Sequence, residues 1–144
     1  LEFFRHLATA IPQALVLVLA ERTIRAARKE VVAGALCLRG ADTLYGRYWG
    51  SEENAPGLHF ETCYYQGIEY CLHHGLRRFE PGAQGEHKLA RGFLPVATHS
   101  RHFIADPDFA TAIATWCEHE RGEASRYRAF LLDHSPFRRE ERAT

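Results

Sequence analysis

The sequence has 144 residues, with 18 Lys and Arg balanced by 18 Asp and Glu, so its formal net charge is zero. That balance excludes a global basic field of the kind that holds nucleic acid or an anionic membrane, and a composition of 46% hydrophobic and 25% charged residues is that of an ordinary globular protein. The longest apolar run, Ala14 to Ala20, is too short to span a bilayer, and four cysteines with no CxxC pair read as reduced thiols.

In chain order, Leu1 to Thr9 reads as the tail of a helix, closed off before Pro12. Ala14 to Ala20 (ALVLVLA) reads as a buried strand. Glu21 to Lys29 is charged and reads as a turn at a strand edge, and Val31 to Leu38 (VVAGALCL) as a second buried strand. Arg39 to Asp42 makes a turn into a third strand, Thr43 to Trp49 (TLYGRYW). Connections this short leave no room for crossovers, so the three strands form an antiparallel meander.

Gly50 to Leu58 is a loop by its Gly, Pro and Asn content. His59 to His74 is a helix with its buried face expected at Phe60, Tyr64, Ile68, Cys71 and Leu72 and a polar face at Glu61, Tyr65, Glu69 and His73. Gly75 is its natural C-terminal cap. Arg78 to Glu80 follows as a strand parallel to its predecessor, reached by a right-handed crossover. A turn with three glycines (Gly82, Gly85, Gly92) then carries Glu86, His87, Lys88 and Arg91. Val96 to Ile104 (VATHSRHFI) is expected to be a further strand. Asp106 is an N-cap, with Pro107 at the first position of a long helix that ends near Leu132 and is apolar at Phe109, Ile113, Trp116 and Cys117. From Phe137 the tail is a charge run with the character of a frayed end. The sum is an α/β (α+β) fold in a single domain, a mostly antiparallel sheet with flanking helices.

The order of elements resembles that of the GNAT acyltransferases. Pro56-Gly57 before the helix, Gly75-Leu76 and Phe79-Glu80 at its end, Gly82 and Gly85 in the turn, and Lys88 followed by Gly92-Phe93 are similar to the Fem-type group of that superfamily. More narrowly they resemble the FemAB-like family of peptidoglycan biosynthesis and recognition. The resemblance is strong over Arg47 to Phe93 and elsewhere rests on element order.

It implies acyl transfer to an amine: an aminoacyl group carried from aminoacyl-tRNA to a peptidoglycan precursor, or an acyl group from acyl-CoA to a small-molecule acceptor. It also implies a donor carbonyl beside Thr43–Trp49 and a donor pyrophosphate at the N-terminus of the following helix. Free N–H groups and the helix dipole favour an anion at such a place. The acetyl-CoA loop of the superfamily, Gln/Arg-x-x-Gly-x-Gly/Ala, is replaced here by Gly50 to Gly57, in which Glu52 and Glu53 would repel a pyrophosphate. Acetyl-CoA is therefore expected to bind weakly or not at all, and the donor is left open between acyl-CoA and aminoacyl-tRNA. Fem-type enzymes are built of two such units. The chain, which begins at Leu1 and contains no methionine, is accordingly expected to be the C-terminal half of a longer cytoplasmic protein, lacking an N-terminal unit. The alternative is a catalytically silent recognition or structural half-domain.

The candidate residues follow. Lys88 and Arg91 are cations for an anionic group, and Gly82 and Gly85 permit close backbone approach. Glu80 and Glu86, with His87 beside them, are candidates for a general base or for binding the amine. Arg47 and Trp49 are candidates to line the donor cleft, with Tyr48 as acid to the leaving group. Each has a plainer alternative: a charged surface turn, a salt-bridge partner for Arg77 or Arg78, or aromatic packing at a strand end. His59 with Cys63 and Cys71 with His74 lie about a turn apart, but no HxxxH or CxxC occurs and no metal site is expected. Cys63, beside the buried face, reads as an inert core thiol.

Overall fold

The computed structural model describes residues 2–25, 28–83 and 85–137. The chain divides into two compact units, Leu1–Ala83 and Gln84–Thr144.

In the first unit, helix α1 (Glu2–Ala10) ends in a turn where the N–H groups of Ala14 and Leu15 both donate to the Ile11 carbonyl. Strands β1 (Leu15–Arg25), β2 (Arg28–Arg39) and β3 (Thr43–Ser51) pair as an antiparallel meander, and β4 (Arg78–Glu80) joins β3 in parallel, giving the order β1-β2-β3-β4. A parallel pair needs a crossover. Here it is one helical run over residues 58–74, made of α2 (Leu58–Phe60), a π-helical turn (Glu61–Tyr65) and α3 (Gln66–His74). The fold is thus mixed α/β with a mostly antiparallel sheet, as the sequence implies.

The charged stretch Glu21–Lys29 is a correction. Glu21–Arg25 belong to β1 and Arg28–Lys29 to β2, while residues 26–27 lie outside the described residues. The charges suit a ladder because they pair across it. Arg22 faces Glu30 at 3.0 Å, and Lys29 meets Glu21 at 3.0 Å. β3 likewise takes in Gly50 and Ser51, read above as loop.

The core of this unit is Leu44, fully buried, with Cys37 and Cys71, and with Val16, Tyr70, Leu76 and Phe79 packed around them. Ala33, Ala35 and Cys37 of β2 face this core, whereas Leu17 and Leu19 of β1 and Val31 of β2 stand on the other face and are exposed. Strands read as buried throughout are therefore buried on one face only. On the crossover helix Tyr64, Gly67 and Cys71 are buried and Phe60 and Ile68 half-buried, but Leu72 is 76% exposed. Each residue turns about 100° from the last in an α-helix, so the residue after Cys71 leaves the face that Gly67 and Cys71 define. Gly67 is buried because the Phe79 ring of β4 lies against its backbone, where a Cβ would collide with it. Gly75 caps the helix at φ 65°, with the Leu76 N–H donating to the Cys71 carbonyl at 2.9 Å.

β4 is anchored by Asp42. Its carbonyl accepts from the N–H groups of Arg77 (2.8 Å) and Arg78 (3.1 Å), and its carboxylate accepts from the Arg78 guanidinium at 3.1 and 3.3 Å. Thr43, buried beside it, donates its hydroxyl to the same carboxylate at 2.7 Å. The Thr43 hydrogen bond, followed by the Arg78 charge and hydrogen bond, holds the Asp42 carboxyl below its usual range.

The second unit holds a 3-10 helix (Glu86–Arg91) and α4 (Pro107–Asp133). Asp106 caps α4 by accepting the Phe109 N–H at 2.8 Å, with Pro107 opening the helix as read above. Val96–Ile104 is not a strand but irregular chain, with Val96 79% and Phe103 93% exposed. The reason lies in its composition. Thr98, Ser100 and His102 interrupt one alternating face, and His99 and Arg101 the other, so neither face offers a continuous apolar surface to bury. No residue of α4 is fully buried, and Phe109 and Trp116 are each 57% exposed. The charged tail read from Phe137 onward lies, past Phe137 itself, outside the described residues.

Two predictions follow from this core. Gly67→Ala gains about 1 kcal/mol of helix propensity but drives a methyl into Phe79, which costs about 1–3 kcal/mol as overpacking. The expected result is a net loss of stability in denaturant titration, and Phe79→Leu in the same chain should lessen the penalty of the alanine, giving a favourable coupling in the double-mutant cycle. Burial, then the neighbouring Cys71, pushes the Cys37 thiol from 9.0 up to about 11. A raised native pKa means that the stabilisation is complete below pH 9.0 and is lost as pH rises toward about 11. Urea melts across that window should show a loss on the order of 2 kcal/mol, reduced in Cys37→Ala measured against its own baseline, where the Cys71 thiol, also raised by burial, still contributes.

Candidate functional site

In the first unit the candidate residues gather where β3 outruns β4. The parallel ladder pairs Thr43 with Arg78, Leu44 with Phe79 and Tyr45 with Glu80, and there it stops. Pro81 follows and has no N–H with which to extend it. Gly46 lets the chain pass close by, since a Cβ there would stand 3.4 Å from the Pro81 Cα. Gly82, at φ 89°, then turns the chain aside. Beyond this point β3 continues from Arg47 to Ser51 with all its residues exposed. The result is a notch in the sheet that brings Arg47, Tyr48, Trp49, Glu80 and Gly82 to one end of the unit.

Arg47 is the extra residue of a β-bulge, because Cys37 pairs with Gly46 and Leu36 with Tyr48. Its guanidinium lies over the Tyr45 ring at 5.2 Å and donates to the Gly46 carbonyl at 3.2 Å. Tyr48 and Trp49 point to opposite faces. Tyr48, 55% exposed, meets the Phe4 ring of α1 edge-on at 5.3 Å. Trp49 meets His59 of the crossover helix at 5.3 Å, and His59 in turn meets Tyr64 at 5.4 Å. Glu80 is exposed at the end of β4.

In the loop before the helix, one of the two acids has a cation partner. The Glu53 carboxylate is bound by the Arg22 guanidinium, which also holds Glu30, and the Glu53 N–H donates to Ser51 Oγ at 3.1 Å. Of the two acids expected to repel a pyrophosphate, Glu53 shares one cation of β1 with Glu30, which leaves that cluster net negative, and Glu52 is exposed. The helix starts after Gly57, at φ 80°. Around that start lies an open cavity of about 520 Å³, lined by Ala55, Pro56, Gly57, Leu58, Phe60, Glu61 and Tyr65.

In the second unit, Gly85 (φ 99°) and Gly92 (φ 85°) bracket the 3-10 helix that carries Glu86, Lys88 and Arg91. Lys88 is half-buried, with its backbone N–H on the Gly85 carbonyl at 3.1 Å. Arg91 folds back to donate to the His87 carbonyl at 2.7 Å. Glu86 is held by Tyr127 of α4, whose hydroxyl donates to its carboxylate at 2.8 Å. That hydrogen bond, before any effect of burial, raises the Tyr127 pKa above the ordinary phenol value. Arg128 of α4 donates to the Pro95 carbonyl at 3.3 Å, and a Cβ at Gly92 would stand 2.9 Å from the Phe137 ring. The turn is thus seated on α4 and the residues that follow it. Tyr127 was absent from the candidates because it lies 41 residues from its partner, with no local pattern to connect them.

Among the described residues no group of three or more His, Cys, Asp and Glu comes together as a metal site. The four cysteines are free thiols. No helix among the described residues is long and apolar enough to cross a membrane.

A family model described as FemAB-like, peptidoglycan biosynthesis/recognition, matches residues 1–139. The chain belongs to the FemAB-like family. No curated protein and no solved structure matches it significantly. The FemAB-like match extends well beyond the segment Arg47–Phe93 in which the sequence resemblance is strong, and it takes in both compact units.

The Glu86–Tyr127 contact is open to direct measurement. Glu86→Gln removes the carboxylate that favours the protonated phenol, so Tyr127 should titrate at lower pH than in the wild type. NMR of the tyrosine Cζ resonances through the alkaline range reads this, and an unchanged Tyr127 titration would show that the hydrogen bond is not populated in solution.

Proposed function

We propose that this FemAB-like chain is an N-acyltransferase unit that transfers an acyl or aminoacyl group to an amine of a peptidoglycan precursor. Family membership supports the peptidoglycan-related role. The observation that carries the transfer reading is the notch at the end of β3, an exposed strand edge flanked by Trp49, Tyr48 and Glu80, where an acyl carbonyl can lie against the backbone. The proposed step is direct attack of the neutral amine on an ester or thioester carbonyl. A C–N bond forms, and the C–O or C–S bond breaks. The proton leaving the nitrogen passes to Glu80 or through water, and the departing oxygen or sulfur takes a proton from Tyr48. No covalent enzyme intermediate is involved.

In the first unit Arg47 and Trp49 are proposed to line the donor cleft, with Gly82 allowing close backbone approach; in the second unit, taken by itself, Lys88 and Arg91 are proposed to neutralise a phosphate, with Gly85 allowing close backbone approach. Glu86, held by Tyr127, is proposed as an oriented carboxylate for the substrate amine. The donor is aminoacyl-tRNA or acyl-CoA, which places the reaction in the cytoplasm, and the chain is proposed to work beside a second unit of the same kind. Recognition without transfer is the second reading. It is favoured by the engagement of Glu86 with Tyr127, which leaves that carboxylate less available as a base.

The test pairs transfer assays with thermal-shift measurements on muropeptides, acyl-CoAs and an aminoacyl-tRNA analogue, because a ligand that binds only the native state raises its melting temperature. Under the transfer reading, Lys88→Ala lowers affinity or rate about ten- to a hundredfold, the loss of one charge-assisted contact, and Lys88→Arg restores it only in part. The melting temperature of the unliganded protein should change little. Binding of muropeptide with no transfer from any donor selects recognition. A large fall in the melting temperature of Lys88→Ala would make Lys88 a structural charge and remove it from the site.

A further inference from the structure

We infer that the solvent face of α4 is a self-association surface whose partner is a second copy of this chain, the two α4 helices lying antiparallel. Within its own unit α4 packs along one side only. Ala110, Ile113, Cys117 and Leu131 are half-buried, and Tyr127 and Arg128 bond to Glu86 and Pro95 of the preceding segment. A second row stays in solvent. Ala112, Trp116, His119, Glu123, Arg126 and Phe130 are all exposed, Trp116 at 57% and Phe130 at 56%. Their spacing alternates between four and three, which keeps them on one side of the helix for roughly 27 Å, as in the seam of a helix pair. A helix of 27 residues with no fully buried side chain, and with Gly122 in its middle, has little stability of its own to spare.

Complementarity of the row with itself points to a second copy. With the two-fold axis at Arg121, antiparallel helices set Ala112 opposite Phe130 of the copy, Trp116 opposite Arg126 and His119 opposite Glu123, and symmetry makes each contact twice. A small residue thus receives a ring, a guanidinium lies against an indole, and a carboxylate meets an imidazole. Within each helix Glu123 already stands between His119, at 3.9 Å, and Arg126, so the centre of the row is an alternation of charge that the copy meets in the opposite sense. Parallel pairing would instead set Glu123 against Glu123 and Arg126 against Arg126. An anionic bilayer is the competing occupant of an exposed aromatic row. α4 carries five carboxylates against three arginines, whereas helices that lie on such a surface are basic on their polar face. The surface does not depend on the transfer reading and stands if that reading fails.

The experiment is sedimentation equilibrium of the full chain, with circular dichroism to confirm that each variant keeps its helix. A seam of this length lies at the low end of specific interfaces, so the expected result is a reversible dimer with a dissociation constant on the order of tens of micromolar. Trp116→Ala should weaken it about tenfold or more, as loss of a central indole does. His119→Glu sets like charges opposite each other at two symmetric positions and should weaken it about five- to tenfold. Adding Glu123→Lys to that chain restores opposite charges across an antiparallel seam and should return association close to the wild-type value. Across a parallel seam the same double variant would oppose like charges at both positions and leave the loss in place. A chain still monomeric about tenfold above the expected dissociation constant would overturn the inference. So would a dimer indifferent to Trp116→Ala, which uses another surface, a double variant as weak as His119→Glu alone, or a monomer that instead sediments with anionic vesicles. The aromatic and the charge variants remove different contacts, so misfolding of one leaves the others to decide.

Discussion

The first unit depends on the contact between the Phe79 ring and the backbone of Gly67. β4 has only three residues and pairs with β3 at three positions, too little to fix a helix by hydrogen bonding alone. Asp42 seats the start of β4 through two backbone N–H groups and a guanidinium, and the strand then presents Phe79 to the one helical position that lacks a side chain. Any larger residue at position 67 would lift the helix from the sheet. Because the ring and the glycine set how closely the helix lies, they also set where its first turn sits relative to the end of β3. The notch and the cavity by Pro56 and Gly57 thus take their positions from a packing contact remote from both.

Electrostatics in this unit are mostly local and paired. Arg22 serves Glu30 across the hairpin and Glu53 in the loop before the helix, so one side chain ties the far end of the meander to the approach to the crossover. The consequence for ligand choice is specific. Negative charge near the helix start comes from Glu61, held by Gln66, as well as from the loop acids Glu52 and Glu53, the second of which shares its cation with Glu30. Exposed pairs of this kind add little stability each; their effect is to decide which charges remain available to a ligand.

How much of this was legible in the sequence varies with the range of the interaction that decides it. The meander, the crossover helix, the parallel β4, the Gly75 cap and the Asp106-Pro107 helix start were all readable, because short connections, periodicity and capping chemistry are local. Glu21–Lys29 was misread as a turn because its charges are tolerated only through partners on the opposite strand. Val96–Ile104 was misread as a strand because apolar residues at its two ends outweighed the polar centre. Leu72 was misplaced because the helical period was allowed one residue too much width. For the site, the three glycines of the Gly82–Gly92 turn take positive φ angles, which reading them as points of close backbone approach does not specify, and Arg47, Tyr48 and Trp49 follow one another past the end of β4 with the two aromatics on opposite faces. Tyr127 as the partner of Glu86, and Arg22 as the partner of Glu53, are contacts between distant segments that no local pattern encodes.

The bulge at Arg47 has a consequence for how this strand tolerates change. Side chains on a strand alternate, so the parity of residues between two fixed points decides which face each occupies. Gly46 and Tyr48 are held opposite Cys37 and Leu36 with one residue more on β3 than on β2. The bulge takes up that odd residue, so Tyr48 still reaches Phe4 and Trp49 still reaches His59. Were the strand to run on without the bulge, Arg47 would stand opposite Leu36 and the two aromatics would exchange faces. Deleting position 47 does the reverse: it leaves a regular ladder with Tyr48 opposite Leu36 and Trp49 opposite Ala35, so the corner keeps its aromatics on the faces they now occupy.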